Sequence, residues 1–367
     1  MCGDPGLSHL TSDVSLPDYT PANPSALPQQ TNVPNQTQSV LVSIVIPAYR
    51  CAEYITEGIE SVFTQSLNDT EIIVVNDGSP DTAQLEAALL PYAGRIRYFK
   101  QATKGPSGAR NTGIRNALGK YIAFLDGDDY WTPDHLAKNV GILEGNPEIA
   151  LVYCDCILIK DGQPFGRVFF AQGQSTRVSF ESLLLQSSTI STSSVVVSRE
   201  AITAAGGFDE AIHRCEDFDM WLRLAFQGSR MAYHPDAEVY HRVHKVSLSA
   251  DSLAMIKDRV RVYEKTASML AVSKEQRQII RRMITKSQSD GYVEQLKEFL
   301  ERKDYAEARE AAHRANLVES TWKLKLAMLG LRVAPRAFGL LHRSRSVLLQ
   351  RRTFSRRPTL QNGQTAQ

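Results

Sequence analysis

The stretch YIAFLDGDD at residues 121–129 joins an apolar run directly to three carboxylates. Such a run is typical of a strand that is buried on both faces. Similar runs precede it at residues 40–46 and 71–75, and a shorter strand is predicted at residues 96–99. The βαβαβαβ order predicts an α/β fold with a mostly parallel central sheet and helices on both faces. The helices that separate these strands are predicted at residues 53–65, 82–90 and 108–117.

Three of these predicted strands end in polar or turn-forming residues, namely PAY at residues 47–49, NDGS at residues 76–79 and DGDD at residues 126–129. The carboxyl ends of parallel strands lie along one edge of a sheet, and open α/β sheets bind their ligands at that edge. The sequence therefore predicts that these three turns line one ligand site.

The composition excludes several classes of protein. The chain has 367 residues, of which 43% are hydrophobic and 22% are charged, and these values are close to globular averages. They exclude collagen-like and wholly disordered proteins. No run of about 18 apolar residues is present that could form a spanning helix. Five cysteines, together with a first stretch that lacks an apolar leader, predict reduced thiols in the cytoplasm.

Composition also divides the chain into four predicted segments. Residues 1–40 contain six prolines and no Lys or Arg, which predicts a disordered tail. Residues 41–250 carry the α/β pattern, and residues 251–320 have helical periodicity that predicts a helical extension. Residues 321–367 form a basic tail. Within the second segment, further strands are predicted at residues 150–154, 193–197 and 230–233 and a helix at residues 217–225.

The basic tail contains ten Lys or Arg and no Asp or Glu. Over residues 321–352 these basic residues alternate with Trp, Phe and Leu, and Pro335 separates two possible helices. This composition is typical of helices that lie at an anionic membrane surface. The alternatives are a solvated basic tail and a nucleic-acid patch, and nothing else in the chain supports nucleic acid.

The three carboxylates of residues 126–129 repel one another unless a cation lies among them. A hard divalent ion accepts such oxygens and leaves coordination positions for phosphate oxygens. A solvated acidic turn is the alternative interpretation. The position directly after a buried strand, level with two other polar turns, favours a metal site.

Four further residues are candidates because of their chemistry. Asp77 can accept a hydrogen bond from a nucleotide base and Tyr49 offers a flat face for stacking, while turn chemistry is the alternative for Asp77. Asp217 lies at the start of a predicted helix, where an acid either suits the helix dipole or serves as a general base. His244 is either structural or a metal ligand.

Taken together, these motifs resemble those of the family 2 glycosyltransferases, which have the GT-A fold. One motif departs from the family pattern, because the histidine that corresponds to His244 commonly sits in Tyr-Arg-x-His and here His241 replaces the Tyr. The resemblance covers about residues 42–249. The matching segments are VSIVIPAY at 42–49, IVVNDGS at 73–79, GARNTGI at 108–114, YIAFLDGDD at 121–129, GGFD at 206–209 and the Glu216-Asp217 pair.

The resemblance implies a role for each matching residue. Asp128 and His244 would hold Mg²⁺ or Mn²⁺ on the donor diphosphate, and Asp217 would be the catalytic base. The residues that would bind the nucleotide are Pro47, Ala48, Tyr49, Glu53, Asp77, Arg110 and, nearer the ribose, Asp126.

The implied reaction is inverting transfer of a sugar from a nucleotide-diphosphate sugar, most commonly a UDP-sugar, to an acceptor hydroxyl. The acceptor would belong to polysaccharide, lipid-linked glycan or other glycoconjugate synthesis. A nucleotidyltransferase and a non-catalytic module that binds nucleotide sugars or glycans are the alternatives. PAYR at residues 47–50 is not the Gly-rich loop expected of the former. The predicted location is the cytoplasm, and peripheral association with the inner face of the cytoplasmic membrane is left open.

Overall fold

The structure is a computed structural model that describes residues 39–168, 177–186, 189–244 and 251–341. Most of the predicted disordered tail and the second half of the predicted basic tail lie outside these residues.

The first half of the chain forms the predicted parallel layer. Strand β1 (Val42–Ala48) lies between β2 (Thr70–Asn76) and β4 (Tyr121–Phe124), and β3 (Arg97–Lys100) pairs with the other side of β2. All of these pairs are parallel, so the predicted order of strands and helices is confirmed. The connecting helices are α1 (Ile55–Phe63), α2 (Thr82–Leu89) and α3 (Gly105–Asn116).

Helix α3 packs closely onto β1 because a glycine lies at the contact. A Cβ atom at Gly113 would lie 2.2 Å from Cγ1 of Val45, which is far inside the van der Waals limit. The close approach fixes where the earlier residues of α3 lie. Arg110, three residues before the glycine, is thereby buried next to the end of β4.

The second half of the chain extends the sheet with mixed pairing. The sheet order is β3-β2-β1-β4-β9-β6-β10-β5, with β7 paired to β6 and β8 paired to β10. Strand β9 is antiparallel to both of its neighbours, whereas β6 and β10 are parallel to each other. These strands are β5 (Tyr130–Trp131), β6 (Ile149–Lys160), β7 (Gln163–Arg167), β8 (Arg177–Val178), β9 (Val195–Ser198) and β10 (Arg230–Arg242), and the helices among them are α4 (His135–Gly145), α5 (Phe180–Leu184), α6 (Arg199–Ala204) and α7 (Glu216–Phe226).

Strands β6 and β10 are much longer than the sequence predicts, at 12 and 13 residues. Polar residues such as Asp155 and His234 interrupt their apolar runs, so hydrophobicity alone underestimates their length. The two strands nevertheless stay paired through register shifts between His234 and Val239. The extended pairing carries β10 to the edge of the sheet where the DGDD turn lies.

A helical extension follows the sheet, as predicted, and it continues past the predicted bounds of 251–320 into the predicted basic tail. The first part of this extension shares the core of the sheet domain through residues such as Tyr263 and Ile280. The later part has its own small core, which includes Leu300 and Leu331. Over the residues that the structure describes, no helix is both long enough and apolar enough to cross a membrane. The helices are α8 (Ser252–Met269), α9 (Lys274–Arg302), α10 (Tyr305–Val318) and α11 (Trp322–Val333).

Candidate active site

The three predicted turns begin side by side at one edge of the sheet. Ala48 of β1 is paired with Asn76 of β2, and Val45 of β1 is paired with Phe124 of β4. The carboxyl ends of β1 and β2 are therefore level, whereas β4 ends opposite Val45, earlier along β1. All three strands run in the same direction, so the PAY, NDGS and DGDD turns lie at one edge of the sheet.

The loop after β1 is hydrogen-bonded to the loop after β2. The N–H of Arg50 donates to Oγ of Ser79 at 2.7 Å, and the N–H of Ala52 donates to Oδ2 of Asp81 at 3.1 Å. Tyr49 remains 47% exposed, and the Arg50 guanidinium lies 5.5 Å from its ring centre. Base stacking requires an exposed aromatic ring at a strand end, and Tyr49 provides one. Its contact with a nucleotide base stays a prediction.

The remaining predicted nucleotide-binding residues of this loop differ in exposure. Pro47 is half-buried, Ala48 is buried in the sheet and Glu53 is exposed. Only the backbone of Ala48 can therefore face a nucleotide. The exposed Glu53 side chain is hydrogen-bonded to Tyr54.

Asp77 is buried and its carboxylate is largely engaged within the protein. It accepts hydrogen bonds from the Gln101 side chain at 2.7 Å and from the N–H groups of Lys104 and Gly105 at 2.9 and 2.8 Å. A carboxylate has about four acceptor positions, so one is left for a base. Asp77 thus fixes the turn before α3, a long-range contact that the local-turn interpretation does not predict. Its contact with a nucleotide base stays a prediction.

The DGDD turn separates two partly exposed carboxylates from a buried one. The side chains of Asp126 and Asp128 are 30% and 35% exposed, whereas Asp129 has no exposed surface. A Cβ atom at Gly127 would lie 2.6 Å from Sγ of Cys51, so the turn passes too close to the β1 loop for another residue. The turn therefore presents Asp126 and Asp128 to the ligand side.

Asp129 is the anchor of this turn. Its Oδ2 accepts a hydrogen bond from Oγ of Ser193 at 2.6 Å and lies 2.9 Å from Nδ1 of His241, and its Oδ1 accepts from the N–H of Arg242 at 3.0 Å. Burial lowers the pKa of His241, but the Asp129 carboxylate raises it more, and the resulting pKa is about 9. A charged His241 thus fastens the end of β10 to the DGDD turn.

This anchoring brings the two predicted metal ligands together. Nε2 of His244 lies 3.5 Å from Oδ2 of Asp128. The His244 ring also packs on Tyr54, with ring centres 5.0 Å apart. Burial, followed by the carboxylates of Asp129 and Asp126, raises the pKa of Asp128. A negative charge on Asp128 is therefore unfavourable until a cation or a donor proton compensates it.

Arg110 links the DGDD turn to helix α7. Its Nη2 donates to Oδ1 of Asp126 at 2.7 Å and its Nη1 donates to Oε1 of Glu216 at 2.7 Å. The guanidinium is buried and also lies 5.4 Å from the ring centre of Phe208. Contact with the nucleotide stays a prediction for Arg110, whose described partners are the two carboxylates.

Three acids near the start of α7 could act as a base, and their partners distinguish them. Glu216 is paired with Arg110, and Asp209 is paired with Nζ of Lys265 at 2.7 Å. Asp217 forms no ion pair with any described residue and is partly exposed. Burial, and then the neighbouring Glu216 carboxylate, raises its pKa, which suits a proton acceptor.

Lys265 also connects the helical extension to this region. It lies on α8 and its Nζ reaches Asp219 of α7 at 2.7 Å in addition to Asp209. Asp219 is further paired with Arg223 at 2.8 Å. The extension therefore braces the helix that carries Asp217.

Comparison with known proteins decides the family. The sequence model described as Glycosyl transferase family 2 matches residues 43–191, and the one described as Glycosyl transferase family group 2 matches residues 121–278. An uncharacterized glycosyltransferase of Rickettsia typhi, RT0329, is 31% identical over 229 residues, which are 60% of this chain and 70% of that protein. The chain belongs to the family 2 glycosyltransferases.

Other relatives match this glycosyltransferase over different shares of their length. WfaP of Escherichia coli, a UDP-Glc:α-D-GlcNAc-diphosphoundecaprenol β-1,3-glucosyltransferase, is 29% identical over 58% of this chain and 80% of its own. The chain spans only 27% to 31% of three of the first similar Rickettsia proteins and 69% to 70% of two others.

Solved structures confirm the GT-A fold of this glycosyltransferase. S. aureus TarS 1–349 in complex with UDP-GlcNAc superposes with a TM-score of 0.57 at 16% identity, over 86% of this chain and 92% of that one. The mannosyltransferase PcManGT from Pyrobaculum calidifontis, in complex with GDP-Man and Mn²⁺, gives 0.54 at 17% identity, over 89% and 90%.

The residues of this glycosyltransferase fit a divalent cation beside Asp128. Nε2 of His244 is buried and has no hydrogen-bond partner among the described residues, although the Asp128 carboxylate is close. A cation between the two atoms would satisfy both. Within the described ranges no group of three or more His, Cys, Asp or Glu side chains could hold a metal on its own. Phosphate and water oxygens would have to supply the other ligands.

Several residues that shape this site carried little or no signal in the sequence. Asp129 belongs to the DGDD motif. Its place in the chain, after the two predicted binding residues Asp126 and Asp128, could have indicated that it anchors them. Ser193 lies in a short 3₁₀ turn where a strand was predicted, so no pattern pointed to it. Tyr54 had no signal, because its partner His244 is 190 residues away along the chain.

Proposed function

We propose that the chain is a metal-dependent, inverting glycosyltransferase that moves a sugar from a nucleotide-diphosphate sugar, with a UDP-sugar as the donor, to an acceptor hydroxyl. The observation that carries this proposal is that a single arginine connects the chain neighbours of Asp128 and Asp217. Asp126 lies in the same turn as Asp128, and Arg110 ties it to Glu216, the neighbour of Asp217. The metal candidate and the unpaired acid thus belong to one network.

In the proposed reaction the residues of the chain have separate tasks. Asp217 accepts the proton of the acceptor hydroxyl as its oxygen attacks the anomeric carbon. Asp128 and His244 would hold the divalent ion, which neutralises charge on the leaving diphosphate when bound. Tyr49 and Asp77 would orient the nucleotide base, with Pro47, Ala48 and Glu53 beside them.

Two lines of support bear on the donor and the acceptor. The TarS and PcManGT structures contain UDP-GlcNAc and GDP-Man with Mn²⁺, respectively, at the same fold. WfaP is named for transfer from UDP-Glc to a lipid-linked diphosphate sugar. For this chain we therefore propose a UDP-sugar as the donor and Mg²⁺ or Mn²⁺ as the metal. The proposed acceptor belongs to polysaccharide or lipid-linked glycan synthesis.

The basic segment at residues 321–352 supports a location at the inner face of the cytoplasmic membrane. Its cationic residues would be attracted to anionic lipids, and its Trp and Leu residues would enter the interface. A lipid-linked acceptor would be presented at that surface. The catalytic domain would then work on the cytoplasmic side of that membrane.

A donor panel tests the proposal against its alternatives. The protein is incubated with Mn²⁺ and UDP-Glc, UDP-Gal, UDP-GlcNAc, dTDP-Rha or GDP-Man, and release of the nucleoside diphosphate is measured. We expect release from at least one donor and its loss in the Asp217→Asn variant, but not in the Asp290→Asn control on the exposed face of α9. Pyrophosphate release from a nucleoside triphosphate and a sugar phosphate would instead indicate a nucleotidyltransferase, and donor binding without any turnover would indicate a binding module.

A further inference from the structure

A groove lies between α10 and α11, away from the candidate active site. Its volume is about 400 Å³. Both helices contribute basic side chains to it, and α11 adds two apolar ones. The residues that matter here are Arg309, His313, Lys325, Arg332, Met328 and Leu329.

The basic residues of this groove have no acidic partners in the described part of the chain. Glu310 also lines the groove, but it is paired with Arg314 at 2.9 Å. The positive charges of Arg309, Lys325 and Arg332 are therefore left for a ligand. A concave site with several uncompensated cations attracts anions, and phosphate groups match Arg and Lys especially well.

The outer face of α11 is apolar beside this groove. Trp322, Leu326, Leu329 and Val333 follow a spacing of four, three and four residues, which puts them on one side of the helix. All four are exposed, by between 54% and 72%. The opposite side of α11 packs on the small core of the extension, so this outer face is a second apolar stripe, which no described residue covers.

Charge and apolar surface are arranged together. At 100° per residue, Lys325 and Arg332 flank one side of the apolar stripe and Lys323 flanks the other. A soluble phosphate ligand would use the groove but leave the stripe exposed to water. A bilayer with anionic headgroups would occupy both, because it offers phosphates next to an apolar interior.

We propose that the α10–α11 groove binds the phosphate headgroups of anionic phospholipids while the apolar stripe of α11 enters the membrane interface. The proposal rests on the membrane association proposed above and gives it a defined site. It adds Arg309 and His313, which lie outside the predicted basic tail, and it places the contact on a folded surface. The bound membrane would hold the helical extension, and with it α7 and Asp217, next to a lipid-linked acceptor.

Vesicle binding of the full-length protein tests the proposal. Vesicles of phosphatidylcholine alone are compared with vesicles that also contain phosphatidylglycerol, by sedimentation at low salt. The double variant Arg309→Gln/Arg332→Gln should bind the anionic vesicles on the order of 30-fold more weakly. The matched control Arg281→Gln/Arg282→Gln removes the same charge from the exposed face of α9 and should bind within about twofold of the wild type.

Tryptophan fluorescence supplies a second readout. Trp131 and Trp221 are buried in the sheet domain, whereas Trp322 is exposed on the stripe. Quenching by lipids with brominated acyl chains should therefore report entry of Trp322 into the bilayer, and Trp322→Phe should remove most of that quenching. An unquenched Trp322 in vesicle-bound protein would contradict the proposed orientation.

Two further outcomes would overturn the proposal. In one, the groove variant binds anionic vesicles as tightly as the wild type while deletion of residues 342–367 abolishes binding. In the other, inorganic pyrophosphate binds the groove and the vesicles do not. Nucleotide release from the soluble donor is measured in the same variants and should not change. If the wild type released no nucleotide, the proposed catalytic function would be wrong, but the vesicle experiment would still test the lipid-binding site.

Discussion

Nη1 of Arg110 donates a 2.7 Å hydrogen bond to Oε1 of Glu216, across 106 residues of sequence. The same guanidinium holds Asp126, so one buried cation joins the turn that would carry the metal to the helix that carries the proposed base. Neither carboxylate has another cationic partner among the described residues. The relative position of the two halves of the site therefore depends on Arg110.

Replacement of Arg110 by Ala should destabilise the protein and inactivate it. Two carboxylates near the sheet would lose their counter-charge, and breaking a buried pair in this way costs about 3 kcal/mol or more. Urea unfolding followed by circular dichroism measures the change. Arg115→Ala, on the exposed side of the same helix, is the control and should stay within about 0.5 kcal/mol of the wild type.

Removal of the metal or of Asp128 should abolish sugar transfer. The leaving diphosphate would lose the charge that neutralises it, so Asp128→Ala should lower turnover on the order of 10³-fold or more. EDTA should do the same to the wild type, and added Mn²⁺ should restore it. Nucleotide release is the measurement. Full activity in EDTA would remove the divalent ion from the mechanism.

Replacement of Asp217 by Asn should separate chemistry from binding. The amide keeps the size of the side chain but cannot accept a proton, so turnover should fall about 10²–10⁴-fold. Donor affinity, measured by calorimetry, should stay near that of the wild type. If the variant kept most of its turnover, the base would have to be another acid, and Glu216 and Asp209 would be the next candidates.

The pH dependence of turnover should reflect the raised pKa of Asp217. A base acts in its deprotonated form, so the rate should fall with decreasing pH at a higher pH than for an ordinary aspartate. Glu216→Gln removes a neighbouring negative charge that raises this pKa, so it should shift the acidic limb to lower pH. Glu200→Gln on the exposed side of α6 should leave the profile where it is.

Stability should decline at alkaline pH because of the His241–Asp129 pair. The folded pKa of His241 is about 9, above its unfolded value near 6.5. Its contribution is therefore fully present below about pH 6.5 and is lost as the pH rises through about 9. Because the ring is partly exposed, the contribution of this pair to the free energy of unfolding is about 1 kcal/mol. Urea unfolding between pH 6 and 9.5 should show this loss of stability in the wild type. In the His241→Asn variant the free energy of unfolding should depend less on pH over this range.

The sequence predicted the sheet edge better than it predicted the contacts there. The strands before Asp77 and Asp126 are apolar and short, so periodicity located them and the parallel order placed their ends together. The pairing of Asp128 with His244 followed from a family resemblance. The engagement of Asp77 by the turn before α3 and the bridging role of Arg110 depend on chain segments that meet only after folding. No local pattern records such contacts.

The order in which sugar anomers appear tests the central claim most directly. In the absence of an acceptor, water can take its place, and the sugar released from an α-linked UDP-sugar can be followed by proton NMR before it equilibrates. A single displacement assisted by Asp217 predicts that the β-anomer appears first, at a rate that depends on Mn²⁺. First release of the α-anomer would contradict a direct inverting attack at this site.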